Sequence, residues 1–148
     1  MNYSKISLAC DHAGYEYKEN IKKYLAEKYL LKVVDFGAYS KESIDYPDVA
    51  HKLADSVSTG ETEIGIILCG GGNGVCMTVN KHKLIRGALC WNKEIVALAR
   101  RHNNANVLCL PARFITIKQA LEMVDVFLTT NFEGGRHQTR VDKILGSA

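Results

Sequence analysis

No block of like charge occurs in this sequence: nineteen lysines and arginines are interspersed with sixteen acidic residues, for a net charge of +3. That balance offers no polyelectrolyte surface for nucleic acid or for an anionic membrane. No apolar run approaches the roughly 20 residues of a membrane span, and the start, MNYSKISLAC, lacks the long apolar core of a secretion signal. No CxxC pair occurs among the five cysteines, at 10, 69, 76, 90 and 109. An odd number of cysteines without a secretion signal reads as reduced thiols rather than a disulfide framework, so the expected compartment is the cytoplasm. No repeat, low-complexity tract or linker divides the chain. Residues 1–148 are expected to form one domain, long enough for a substantial core.

What is present is an alternation. The short runs KISLAC, LKVVDF, EIGIILC, RGALCW and NVLCLP read as strands, several of them apolar throughout, as parallel strands covered on both faces are. Between them the period turns helical. Tyr17, Ile21, Tyr24 and Leu25 share one helical face, as do Val49, Leu53 and Val57, and as do Ile117, Leu121, Val124 and Leu128. Thr116 and Gln119 have the spacing of a capping box. The pattern predicts an α/β fold, a five-stranded parallel sheet between two helical layers, with a C-terminal helix after Gly134 and Gly135. Ligands of such sheets bind at the carboxyl ends of the strands.

At those ends stand chemically useful residues. The first strand runs into Asp11 and His12; Asp11 suits a helix cap, and an acid beside an imidazole also suits catalysis. The third ends at Cys69, followed by Gly70, Gly71, Gly72, Asn73 and Gly74. The dinucleotide fingerprint fails here because Val75 stands where its last glycine belongs, and no Gly-Lys-Ser/Thr of a phosphate loop follows. What remains is a glycine turn whose backbone N–H groups suit a phosphate or a developing oxyanion. A thiol at a helix N-terminus is drawn toward thiolate, so Cys69 reads as a base, a redox thiol or simply the end of a buried strand. The inert buried reading suits Cys10, Cys76, Cys90 and Cys109 better. His102 and Asn103 close the fourth helix, where an imidazole also serves the helix dipole. Arg113 follows the fifth strand. Arg136 and Arg140, one turn apart, suit a phosphate or a solvated basic face.

Taken in order, CDHAG, DYPD, CGGGNG, NK at 80–81, RHNNANV, Arg113 and EGGRHQTR resemble one family: type B ribose-5-phosphate isomerases and the related galactose-6-phosphate and allose-6-phosphate isomerases. The resemblance implies a Rossmann-like fold, a homodimer or dimer of dimers, no metal and no organic cofactor. It implies interconversion of an aldose and a ketose phosphate through a cis-enediol(ate). Cys69 then matches the proton-transfer base, and His102 the ring-opening acid/base with Asp11 beside the ring oxygen. Gly70, Gly71, Gly72, Asn73 and Gly74 match the anion hole, and Asn103 a sugar-hydroxyl contact. His12, Arg113, Arg136 and Arg140 match sugar or phosphate contacts, and Tyr46 the pocket wall. At position 71 the family commonly carries Thr or Ser, whose hydroxyl assists the proton transfer or the oxyanion; here it is glycine. Ribose 5-phosphate is the expected aldose. The alternatives are a six-carbon aldose 6-phosphate, or a silent sugar-phosphate-binding subunit, against which Cys69 and His102 together argue. A thiol oxidoreductase lacks its second cysteine.

Overall fold

The structure, a computed structural model, describes residues 3–146. Strand β1 (Lys5–Cys10) leads through a single 3-10 turn into α1 (Tyr15–Tyr24). There follow β2 (Lys32–Asp35), α2 (Tyr46–Ser58), β3 (Ile64–Cys69), α3 (Asn73–Val79), β4 (Gly87–Leu89), α4 (Lys93–Asn103), β5 (Val107–Pro111), α5 (Ile117–Thr129) and α6 (Arg136–Lys143). The five strands form one sheet in the order β2-β1-β3-β5-β4, every pairing parallel. The five expected runs are the five strands; β4 is shorter than its run because it lies at the sheet edge and is only half-buried.

Strands β1, β3 and β5 are buried along nearly their whole length, which is why they are apolar on both faces. Ile6, Leu8, Ile66, Leu68, Leu108 and Leu110 face a layer built by Ile21, Val96, Val124 and Phe127 of α1, α4 and α5. Ala9, Ile67, Cys69 and Cys109 face the other layer, where α2 and α3 supply Val49, Leu53, Val75 and Val79. Thr116 and Gln119 form the expected capping box at the start of α5. That helix ends at Thr129, several residues before the glycines expected to break it; Gly134 and Gly135, at φ 68° and 55°, turn the chain into α6 instead.

One polar group in the core escaped the periodicity. Lys18 is fully buried on the inner side of α1. Its Nζ donates to both carboxylate oxygens of Asp35, at 2.8 and 2.7 Å, and to the Ala38 carbonyl at 2.7 Å. Asp35 also accepts from Lys22 at 3.1 Å and from the Gly37 N–H at 2.9 Å. The pair ties α1 to the end of β2 and to the loop that continues it beside β1. Burial pushes the Asp35 carboxyl up, but its bonds from Lys18, Gly37 and Lys22 prevail and hold it below the usual carboxylate range. Lys18→Ala strips a desolvated carboxylate of its main donor and is expected to cost about 3 kcal/mol, the lower part of the range for breaking a buried pair, read as a reduced urea midpoint. Since the folded carboxyl titrates below its unfolded value, the pair's contribution is complete above about pH 4 and is lost as pH falls through the folded value. The gap between parent and variant therefore closes in acid.

Candidate active site

The carboxyl end of the sheet collects one half of the expected site. Cys69 is the last residue of β3, paired with Pro111 at the end of β5. It is buried, and its Sγ accepts the N–H of Gly72 at 3.1 Å. Gly72 reaches back to the sulfur because it sits at φ 75°, a left-handed conformation that a side chain disfavours. Gly74 is required for a different reason: a Cβ there would lie 2.4 Å from the Tyr46 ring. Tyr46 therefore packs directly on the turn. Gly71 has neither constraint: no atom lies within 4 Å of where its Cβ would be, and its φ is ordinary.

Around this turn the chain brings Asp11, His12 and Arg113. The Asp11 N–H donates to Leu68 O at 3.1 Å, fixing the residue beside the end of β3. Its Oδ1 accepts from the N–H groups of Ala13 and Gly14 at 2.9 and 3.3 Å, so it does cap the turn that follows. One oxygen is thus committed to structure and Oδ2 is left over. His12 buries an Nδ1 that has no hydrogen-bond partner among the described residues. Arg113 bonds its N–H to Gly70 O at 3.0 Å, and its guanidinium nitrogen lies 3.2 Å from where a Gly70 Cβ would stand.

The other half of the expected site is not here. His102 and Asn103 close α4, and Asn104, left-handed at φ 48°, turns the chain back into β5. They lie just before β5 begins, whereas Cys69 pairs with its last residue, and those two ends of β5 are about 13 Å apart, four strand rises. Arg136 and Arg140 go with His102, because α6 packs against α4 and the loop before it is fastened there. The Glu133 N–H donates to Arg101 O at 3.0 Å, and Glu133 Oε1 accepts from Arg101 Nε at 2.7 Å. His137 is buried beneath His102 with the two rings stacked at 4.2 Å and 9°. The His137 imidazole is held below its usual range by burial, then by the nearby charges of His102 and Arg136. Clefts of about 370 and 440 Å³ flank the β4 edge, lined by Arg86, Asn103 and Ile144 in one and Cys76 and Met77 in the other, and neither includes Cys69. Met77, Leu84, Leu98, Ile144 and Leu145 expose apolar side chains, several of them in these clefts or the adjoining one.

Two features were missed from sequence. Glu133 and His137 lie within EGGRHQTR, but nothing in the spacing says that they meet His102. One nitrogen of each histidine and one carboxylate oxygen lie within 4.8 Å of one another, a residue set that metals use. The near-parallel stack sets the two ring lone pairs side by side rather than converging, and Arg101 already occupies the carboxylate, so the arrangement fits a positioned imidazole better than an ion. Cys76 also departs from expectation. It is half-exposed on α3, and its thiol is held below the usual range chiefly by its contact with Cys109; Cys10 and Cys90 are buried, and desolvation pushes each thiol up to about 12.

The sequence pattern described as ribose/galactose isomerase matches residues 6–144. With this fold, that match defines the class as an α/β sugar isomerase. The probable ribose-5-phosphate isomerase B of Mycoplasma genitalium is 47% identical over 142 residues, 95% of this chain and 93% of the relative. A ribose 5-phosphate isomerase from Thermotoga maritima superimposes with a TM-score of 0.93 at 47% identity, over 97% of this chain and 98% of that one. The Mycoplasma genitalium ribose-5-phosphate isomerase B, solved with bound ribulose-5-phosphate, superimposes with a TM-score of 0.89 at 46% identity, over 95% and 93%. The chain belongs to the ribose/galactose isomerase family.

The two glycines of the turn are expected to respond oppositely to a side chain. Gly74→Ala drives a Cβ into the Tyr46 ring and should cost about 1–3 kcal/mol, as overpacking does. Gly71→Ser enters open space and should stay within about 0.5 kcal/mol of the parent, as exposed substitutions do. Urea unfolding of both variants checks the pair.

Proposed function

We propose that this protein interconverts ribose 5-phosphate and ribulose 5-phosphate through a cis-enediol(ate). The observation that carries the reading is Cys69, tied to the glycine turn through Gly72 and grouped with Asp11 and Arg113 at the sheet edge where α/β ligands bind. The Mycoplasma genitalium relative with ribulose-5-phosphate bound supports the substrate.

In this reading two copies associate as a homodimer, or as a dimer of dimers, so that the His102 end of one copy meets the Cys69 end of the other. The separation of the two halves within one chain and the exposed apolar residues near the β4 edge support that arrangement. His102 takes the proton from O1 of the furanose. The C1–O4 bond breaks with its electron pair to O4, which receives a proton, and C1=O1 forms. Asp11 Oδ2 and Asn103 orient the sugar. The Cys69 thiolate then removes the C2 proton, the turn's N–H groups hold the charge on the O1 enediolate oxygen, and the thiol returns the proton to C1 while the O2 proton passes to O1 as the C2 carbonyl forms. Arg136 and Arg140 anchor the phosphate, with His12 and Arg113 as further contacts. The net change is an internal proton shift, so no electron acceptor is consumed. The cytoplasm suits such a sugar-phosphate enzyme, and no described helix is long and apolar enough to cross a membrane.

A second reading, a six-carbon aldose 6-phosphate as substrate, is favoured by the open space above Gly71. Gly71→Ser separates the two. On the first reading the hydroxyl adds an oxyanion donor and raises turnover of ribose 5-phosphate, one such donor being worth up to about 3 kcal/mol. On the second it selectively penalises hexose 6-phosphates.

Cys69→Ala is expected to lower turnover by about 10²–10⁴, the contribution of a general base, with phosphate-ligand affinity nearly unchanged. Near-normal turnover would remove Cys69 from the mechanism. Co-expression of Cys69→Ala with an Arg136→Ala/Arg140→Ala double variant should restore about a quarter of parental activity, because random pairing gives half the dimers one intact site of two. No recovery in purified heterodimers would mean that the site lies within one chain.

A further inference from the structure

The proposed chemistry uses His102 but not the two groups that surround its ring. Glu133 sits at the Nε2 edge of both stacked imidazoles: its Oε1 is 4.0 Å from His102 Nε2 and its Oε2 is 3.5 Å from His137 Nε2. The first distance is too long for a hydrogen bond, so this contact acts through charge. The carboxylate itself has little freedom, because Arg101 holds Oε1 through its Nε and holds the Glu133 N–H through its carbonyl. Around it stand Arg101, Arg136 and Arg140, so Glu133 is the acidic group among the charges that face these imidazoles. Its carboxyl is held below its usual range chiefly by the Arg101 bond and stays ionised through neutral pH.

His137 supplies the second constraint. It is buried, while the His102 side chain is about a third exposed. A free imidazole at a helix end would swing between rotamers. Here one face of His102 lies flat on a buried ring, and one nitrogen edge faces the Glu133 carboxylate. The stack fixes the plane of the ring, and the nearby carboxylate favours a proton on the nitrogen that faces it. A carboxylate behind a histidine does this work at other sites, by fixing which nitrogen carries the proton and leaving the other to react.

We propose that Glu133 and His137 are positioning residues for furanose ring opening: they present His102 with the nitrogen away from Glu133 free to take the O1 proton. The proposal rests on His102 being the ring-opening group. It goes beyond that assignment in predicting which reactions the two residues affect. Ribose 5-phosphate is bound as a furanose and must open. Ribulose 5-phosphate cannot close a furanose, since its 5-oxygen carries the phosphate, so proton exchange at its C1 bypasses ring opening.

The test follows both reactions in Glu133→Gln and His137→Leu, with melting curves to establish folding. One assay measures ketose formation from ribose 5-phosphate; the other measures deuterium uptake from solvent at C1 of ribulose 5-phosphate. The expected result is a fall in kcat on ribose 5-phosphate of about 10–100-fold, within the 10²–10⁴ that the general acid–base group itself supplies. KM should change little, and deuterium uptake should stay within about twofold of the parent. Glu133→Asp should recover part of the loss. Equal loss in both reactions, or loss in neither, overturns the positioning role. His102→Gln is the control on the underlying assignment. If it fails to slow the furanose reaction more than the exchange, the ring-opening role of His102 falls. If it gives that split and Glu133→Gln does not, only the positioning role falls.

Discussion

A parallel strand delivers its last residue to one edge of the sheet, and the helix that follows delivers its own last residue to the opposite edge. Every strand pairing here is parallel, so this rule governs the whole molecule. The ends of β1, β3 and β5 gather Asp11, Cys69 and Arg113, and the end of α4 carries His102 and Asn103 away from them. Helix α6 cannot correct this, because Glu133 is bonded to the foot of α4 and the helix stays there. The chain therefore presents two chemically incomplete surfaces. One has the Cys69 thiol, Asp11, His12, Arg113 and the glycine turn; the other has the stacked His102 and His137 with Arg136 and Arg140 on the adjoining helix. On the proposed mechanism, neither alone holds the base, the ring-opening group and the paired-arginine anchor. In the proposed dimer, two copies related by a twofold axis would supply all three, twice.

What the sequence made legible is what local chain chemistry controls. The five strands are visible because buried parallel strands must be apolar on both faces, and the start of α5 because Thr116 and Gln119 cap it through side chains three residues apart. The Cys69 turn is visible for the same reason: the thiol and the N–H that meets it are only three residues apart. Lys18 was illegible. Its helical face looks like a solvated lysine until Asp35 and the Ala38 carbonyl, from another element, close over it. Glu133 and His137 were illegible in the same way, since they gain their meaning from His102, more than thirty positions earlier. The end of α5 was misjudged because glycines mark where a chain can turn, not where a helix stops.

The turn at Gly70–Gly74 shows how much of the site is backbone. The glycines there answer to different demands: Gly70 to the Arg113 side chain, Gly72 to a left-handed φ, Gly74 to the Tyr46 ring, Gly71 to nothing within 4 Å. Position 71 is thus the glycine of the turn with open space for a side chain, and it is where the resembling family commonly keeps a hydroxyl. A hydroxyl is a donor that must choose a rotamer and surrender some entropy. A backbone N–H in a rigid turn is already oriented and costs no reorganisation as charge develops. Because Gly72 spends its N–H on the Cys69 sulfur, the proposed enediolate would draw on its neighbours in the turn, and Gly71 leaves the approach to them open. The chain has exchanged a donor for room. Which sugars use that room depends on the opposite wall, and in the proposed dimer that wall is the His102, Arg136 and Arg140 surface of the second copy. Specificity and catalysis would then share one determinant: how closely the two incomplete surfaces approach.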